Sequence, residues 1–187
     1  MTERAGRVCP VERANSLDNR MRRWVQNPWK LLGPWLEEGM AVADLGCGPG
    51  FFTLPMAQLV GAAGKVIAAD LQQGMLDKVD EKIRGTEFED RIDLHRCEAE
   101  SAGLPQDLAF ILAFYMIHEV PDQEAFFAEM AAALERGGRL MVVEPPFHVS
   151  RAAFERMVTR ARATGLEEAA RPRVWFSKAV VLEKPGG

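Results

Sequence analysis

The sequence predicts an α/β protein built on a doubly wound, mostly parallel seven-stranded sheet, with helices on both faces and an antiparallel C-terminal hairpin. Three observations carry this reading. Short apolar runs alternate five times with segments of helical periodicity. One run, "LAFILAF" at 108–114, has no polar face, as a strand covered on both sides requires. Parallel neighbours need crossover connections, and the helical segments supply them.

The first strand is "MAVADL" (40–45), an apolar run that ends at a glycine turn. "FFTLPMAQLVGAAG" follows, with Phe51, Leu54, Met56, Leu59 and Val60 at helical spacing and glycines to close it; Pro55 is tolerable only near the first turn. "KVIAAD" (65–70) is the second strand. The second helix, "QQGMLDKVDEKIRG", puts Met75, Leu76, Val79 and Ile83 on one face and stops at Gly85. "RIDLHRC" (91–97) alternates weakly and precedes the apolar strand at 108–114. "PDQEAFFAEMAAALERGG" starts a helix at Pro121, spaces Phe126, Phe127, Met130 and Leu134 helically, and stops at a glycine pair. "RLMVVEP" (139–145) is a buried strand, and "RAAFERMVTRARATG" is a helix with Phe154, Met157, Val158 and Ala161 on its face. The tail predicts two strands, roughly 167–176 and 178–184, close enough to form a hairpin.

The chain has 187 residues, 48% hydrophobic and 27% charged, enough for one domain that buries its core without disulfides or metal. The expected division is an N-terminal helical lid at 1–38 and a sheet core at 39–187. Its longest apolar run, 108–117, is about half of a membrane span. Charges in "MTERAGRVCPVERANS" leave no room for a secretory signal, so a cytoplasmic location is expected. Cys9, Cys47 and Cys97 form no CxxC pair, which argues against structural zinc. The net charge of −4 disfavours general nucleic-acid binding, although residues 1–30 carry six Arg and one Lys against Glu3, Glu12 and Asp18.

In such a sheet, ligands bind beyond the carboxyl ends of the strands where the winding reverses. "VADLGCGPGFF" (42–52) occupies that place. Gly46, Gly48 and Gly50 let the turn take positive φ and let backbone approach a ligand closely. Asp70 ends the second strand, where a carboxylate accepts hydrogen bonds from ribose hydroxyls, so a nucleoside is expected. The spacing excludes two alternatives. A dinucleotide turn is G-x-G-x-x-G, but Phe51 stands where the third glycine belongs, and no Gly-Lys-Ser/Thr follows to make a phosphate loop. Asp44, two residues before Gly46, suits a ligand that carries positive charge.

On these residues the sequence resembles the class I S-adenosylmethionine-dependent methyltransferases, motif by motif over 38–146. The resemblance implies a Rossmann-like fold with S-adenosylmethionine as cofactor. It implies that Asp44, Gly46, Gly48 and Gly50 shape the methionine and ribose pocket, that Asp70 holds the ribose hydroxyls, and that Leu71 packs on the adenine. In "CEAESAGLP" the family more often has Asp then Ala where this chain has Glu98 and Ala99, with the acid near the adenine amino group. Phe114 falls near the loop facing the methionine.

"FYMIHEVPD" (114–122) and "EPPFHVS" (144–150) are similar to the ubiquinone and menaquinone biosynthesis methyltransferases, which implies a small-molecule, quinone-like acceptor. Methyl transfer is an in-line displacement, so alignment and exclusion of water are the enzyme's main tasks. Where the acceptor must lose a proton, His118, Glu119, Glu144 and His148 lie beyond the fourth and fifth strands, and His118 has the most suitable intrinsic pKa. Their spacing matches no metal motif. Tyr115 is left between a ligand contact and the core, and Trp24, Trp29 and Trp35 between an acceptor lid and packing on the sheet. No membrane span and no nucleic-acid partner are expected, and a homodimer is left open. The rival function is a non-catalytic sensor or partner subunit that binds S-adenosylmethionine or S-adenosylhomocysteine.

Overall fold

A computed structural model describes residues 27–186. In chain order the elements are α1 (Pro28–Leu32), β1 (Ala41–Leu45), α2 (Thr53–Leu59), β2 (Lys65–Asp70), α3 (Gln73–Ile83), β3 (Ile92–Arg96) and β4 (Leu108–Phe114). A 3-10 turn at Ile117–Glu119 comes next. The chain then continues through α4 (Gln123–Ala133), β5 (Leu134–Glu144), α5 (Arg151–Ala163), β6 (Glu167–Ala170) and β7 (Lys178–Glu183).

The seven strands form one sheet in the order β3-β2-β1-β4-β5-β7-β6. β1, β2, β3, β4 and β5 pair in parallel, while β7 runs antiparallel to both β5 and β6. The chain winds outward from β1 through β2 to β3, then returns to the other side of β1 as β4. That reversal opens a crevice beyond the carboxyl ends of β1 and β4. The expected fold is borne out.

Each sheet face builds its own core. Leu76, Val79 and Ile83 of α3 and Met56 of α2 pack with Val42, Val66 and Leu112 on one face. Phe127 and Met130 of α4, with Phe154, Met157 and Ala161 of α5, pack with Ile111, Leu140 and Val142 on the other. Three helix starts among the described residues are capped by side chains, α1 by Asn27, which accepts from the Lys30 amide at 3.2 Å. Asp122 accepts from the Glu124 and Ala125 amides at 3.1 and 3.0 Å, and Ser150 accepts from Ala153 at 3.1 Å.

Two boundaries differ from the sequence reading. α4 ends at Ala133 instead of running to the glycine pair, because Leu134 already pairs with Leu108 as the first residue of β5. The register then shifts, and Gly138 passes so near β4 that a Cβ there would lie 2.7 Å from the Leu108 carbonyl oxygen. β6 stops at Ala170 instead of reaching 176: Pro172 offers no amide to a ladder, and the chain turns at Phe176 with φ +50. The expected lid at 1–38 is only partly covered by the described residues. Residues 1–26, including Cys9 and Trp24, lie outside the described residues. Over 27–38 the chain packs on the sheet, with Leu32 and Leu36 in the core and Trp35 against it.

Candidate functional site

The crevice at the switch point holds a cavity of about 290 Å³. One wall is the turn after β1. The Gly46 and Cys47 amides both donate to the Ala69 carbonyl, at 2.8 and 3.0 Å, which binds the turn to β2. The Gly48 amide donates to Asp70 Oδ2 and the Gln72 amide to Asp70 Oδ1, each at 2.9 Å. Asp70 therefore staples the glycine turn to the start of α3, and its carboxylate retains acceptor capacity beyond these two bonds. Burial raises its carboxyl above the usual range, while the amides of Gln72, Gly48 and Leu71 oppose that shift.

Two of the glycines answer to different constraints. Gly48 has φ +53, and a Cβ there would meet nothing within 4 Å, so it leaves bare backbone on the cavity side. Gly50 has φ +83, and its Cβ would lie 3.1 Å from Leu54 and 3.2 Å from Val79, so its smallness lets α2 and α3 close on the turn.

Gly46, Gly48, Asp70, Leu71, Glu98, Ala99, Phe114 and Glu119 line the cavity; Asp44, Gly50, His118 and His148 do not. Asp44 sits beneath the wall, buried, and accepts from Thr53 Oγ1 at 2.6 Å, fixing the start of α2 to the end of β1. The sequence offered no sign that Thr53 would take this part. Leu71 presents a half-exposed apolar side chain beside Asp70. The loop carrying Glu98 and Ala99 is tied down by Glu129 of α4, which accepts from Ser101 Oγ, the Ala102 amide and the Gly103 amide at 3.0, 3.1 and 2.6 Å. Glu129 lines the cavity as well, and sequence reasoning missed it because the contact joins segments 27 residues apart. Cys47 and Cys97 are also in the wall. Burial is the main cause that pushes both thiols up, Cys97 to about 12, so neither is poised as a thiolate.

The opposite wall begins at the end of β4. The Phe114 ring lies 4.5 Å from Phe52 and 4.3 Å from Tyr115. Tyr115 adopts φ +61, which no sequence signal announced. Its amide donates to the Val143 carbonyl at 2.8 Å and its hydroxyl pairs with Ser177 Oγ at 2.5 Å. Behind Glu119, His118 Nδ1 meets Glu144 Oε2 at 2.6 Å, and His118 Nε2 lies 4.0 Å from Glu119 Oε1. Glu144 is fully buried at the end of β5, and its Oε1 has no hydrogen-bond partner. The hydrogen bond that His118 donates to Glu144 raises the His118 pKa against the effect of burial, and burial raises Glu119. His148 is exposed, with its ring 6.0 Å from that of His118. No group of three or more His, Cys, Asp or Glu among the described residues is arranged to hold a metal ion.

A doubly wound sheet with a stapled glycine turn at its switch point and an acid ending β2 defines a nucleoside-binding protein of the class I methyltransferase type. The chain belongs to the methyltransferase domain family, whose model matches residues 42–138, just over half of its length. It is similar to a demethylmenaquinone methyltransferase of Lactobacillus johnsonii, 29% identical over 144 residues, covering 74% of this chain and 57% of the relative. It is also similar to a ubiquinone/menaquinone biosynthesis C-methyltransferase of Cronobacter sakazakii, 32% identical over 110 residues, covering 58% of this chain and 44% of the relative. The chain thus spans about half the length of these curated relatives. Among solved structures, a SAM-dependent methyltransferase from Aquifex aeolicus superposes with a TM-score of 0.84 at 23% identity, over 95% of this chain and all of the other. No helix of the described residues is long and apolar enough to cross a membrane.

Proposed function

We propose that this protein transfers the methyl group of S-adenosylmethionine to a small, hydroxylated aromatic acceptor of the quinol type. The observation that carries the reading is Asp70. It is buried at the end of β2, ties the glycine turn to the start of α3 through the Gly48 and Gln72 amides, and retains acceptor capacity for a vicinal diol beside a turn whose Gly48 is bare toward the cavity. These residues fit a nucleoside. Asp70 would hold the ribose hydroxyls, Leu71 would cover the adenine, the loop at Glu98 and Ala99 would border its edge, and Gly46, Gly48 and Phe114 would bound the methionine arm. Asp44 would act through Thr53 by fixing the turn.

When bound, the cofactor supplies an electrophilic methyl on a cationic sulfur. The chain's own residues then align the acceptor, exclude water and take its proton. Phe52, Phe114, Tyr115 and Met116 give an apolar, aromatic wall suited to a flat ring. Loss of a phenolic proton makes the adjoining ring carbon nucleophilic, and Glu119 in the wall, backed by His118 and Glu144, would take that proton. The names of the curated relatives support the quinol class.

The test is turnover of methyl-labelled S-adenosylmethionine with a panel of demethylated quinols, catechols and simple phenols under reducing conditions. Label in an extractable ring product, with matching release of S-adenosylhomocysteine, is the expected result. Cofactor binding without turnover on any ring would instead favour a non-catalytic binding protein.

A further inference from the structure

Two loops at the active end of the sheet expose unusually large aromatic surfaces. Phe147 is 95% exposed, Phe176 78% and Trp175 57%. Phe147 follows β5, and Trp175 and Phe176 lead into β7. The register pair Glu144 and Lys178 sets the two loops side by side, and Lys178 Nζ donates to the Pro146 carbonyl at 3.3 Å. The Trp175 and Phe176 rings meet edge to face at 5.0 Å. The projection is built into the backbone: the Ser177 amide closes a turn on the Val174 carbonyl at 2.8 Å, and Phe176 takes φ +50 within it.

The same segments, 145–151 and 171–178, contain no Asp or Glu. Arg151, Arg173 and Lys178 are their available cations, since Arg171 is engaged by Glu155 and Glu168. Arg151, Arg173, Trp175 and Phe176 share a groove of about 480 Å³ with Arg171 and Glu155, whose charges pair with each other. Exposed rings on loops that carry cations and no acids, beside a Glu155 already paired with Arg171, match the surface of an anionic bilayer. A second copy of this chain fits less well, because a two-fold contact would set the cationic loops against each other.

We propose that the loops at 145–151 and 171–178 dock this protein peripherally on an anionic lipid bilayer, seating the active end of the sheet at the membrane. Ser177 joins the docking loop to Tyr115 in the cavity wall, so the loop that meets lipid also braces the acceptor side of the site. The inference does not depend on the quinol reading and adds to it: an acceptor dissolved in the bilayer would meet the cavity at the membrane face.

The experiment is co-sedimentation of the full chain with vesicles of phosphatidylcholine alone and of phosphatidylcholine with phosphatidylglycerol. The expected result is binding to the anionic vesicles, weakened by salt, and far less to the neutral ones. Phe147→Ser/Trp175→Ser/Phe176→Ser lowers partitioning by about tenfold or more, and Arg173→Glu by about tenfold. Both variants retain affinity for S-adenosylhomocysteine, which reports an intact fold. Absence of binding to either vesicle overturns the proposal, as does a triple variant that binds like the wild type. Sedimentation velocity showing a dimer that the same substitutions dissolve would assign the patch to a second copy and also overturn it.

Discussion

Replacing Asp70 by alanine separates its two assigned tasks. In the folded protein the side chain accepts from the Gly48 and Gln72 amides at 2.9 Å. A hydrogen bond to a charged group contributes about 1.5–3 kcal/mol, and water entering from the cavity would recover part of that. Loss of both should destabilise the unliganded protein by about 2 kcal/mol in chemical denaturation. If the carboxylate also holds both ribose hydroxyls, a further loss of about 3 kcal/mol falls on binding, raising the Kd for S-adenosylhomocysteine by about 100-fold. A ligand lacking the ribose diol supplies the control, with both ligands titrated calorimetrically into wild type and variant. The substitution should weaken the diol ligand strongly and the control by less than about threefold. Equal loss for both ligands would mean that Asp70 acts only by stapling the turn, and an unchanged Kd would refute its place in the site.

Other outcomes follow from the same geometry. Glu144→Gln should lower the His118 pKa measured by NMR titration, because the hydrogen bond to Glu144 is the largest cause raising it; turnover should fall by about 100-fold if the pair serves proton transfer. His118 binds its proton more tightly folded than unfolded, so the stability it contributes is complete below its ordinary value of 6.5 and is lost as pH rises through the raised value. The difference in unfolding free energy between wild type and His118→Gln should therefore shrink as pH rises above about 6.5. Gly48→Ala should cost about 1–2 kcal/mol for its left-handed backbone and weaken cofactor binding. Gly50→Ala should cost about 3 kcal/mol or more in denaturation, since its Cβ also presses on Leu54 and Val79.

Most of the fold was legible because its signals are local. Four of the five parallel strands, β1, β2, β4 and β5, carry an apolar run, β3 alternates only weakly, and α3 and α5 bury the faces their spacing marks. The turn with Gly46, Gly48 and Gly50, and Asp70 at the end of β2, came from spacing alone. What sequence did not yield depends on partners distant in the chain. Leu134 reads as helix until Leu108 claims it for β5. The tail at 171–176 reads as strand, yet Pro172 and the turn at Phe176 take it out of the sheet. Four residues were grouped as proton acceptors only by their place beyond the strands. The structure separates them into Glu119 at the wall, the pair of His118 with Glu144 behind it, and His148 in solvent. Thr53, Glu129 and Ser177 were missed because each is defined by the acid, loop or tyrosine it holds.

The most direct test of the central claim is calorimetric titration of the wild-type chain with S-adenosylmethionine and, separately, with NAD. Saturable binding of S-adenosylmethionine at one site per chain, with no heat from NAD, is the predicted result, because Phe51 stands where a dinucleotide turn needs its third glycine. Binding of NAD, or failure to bind S-adenosylmethionine, would contradict it.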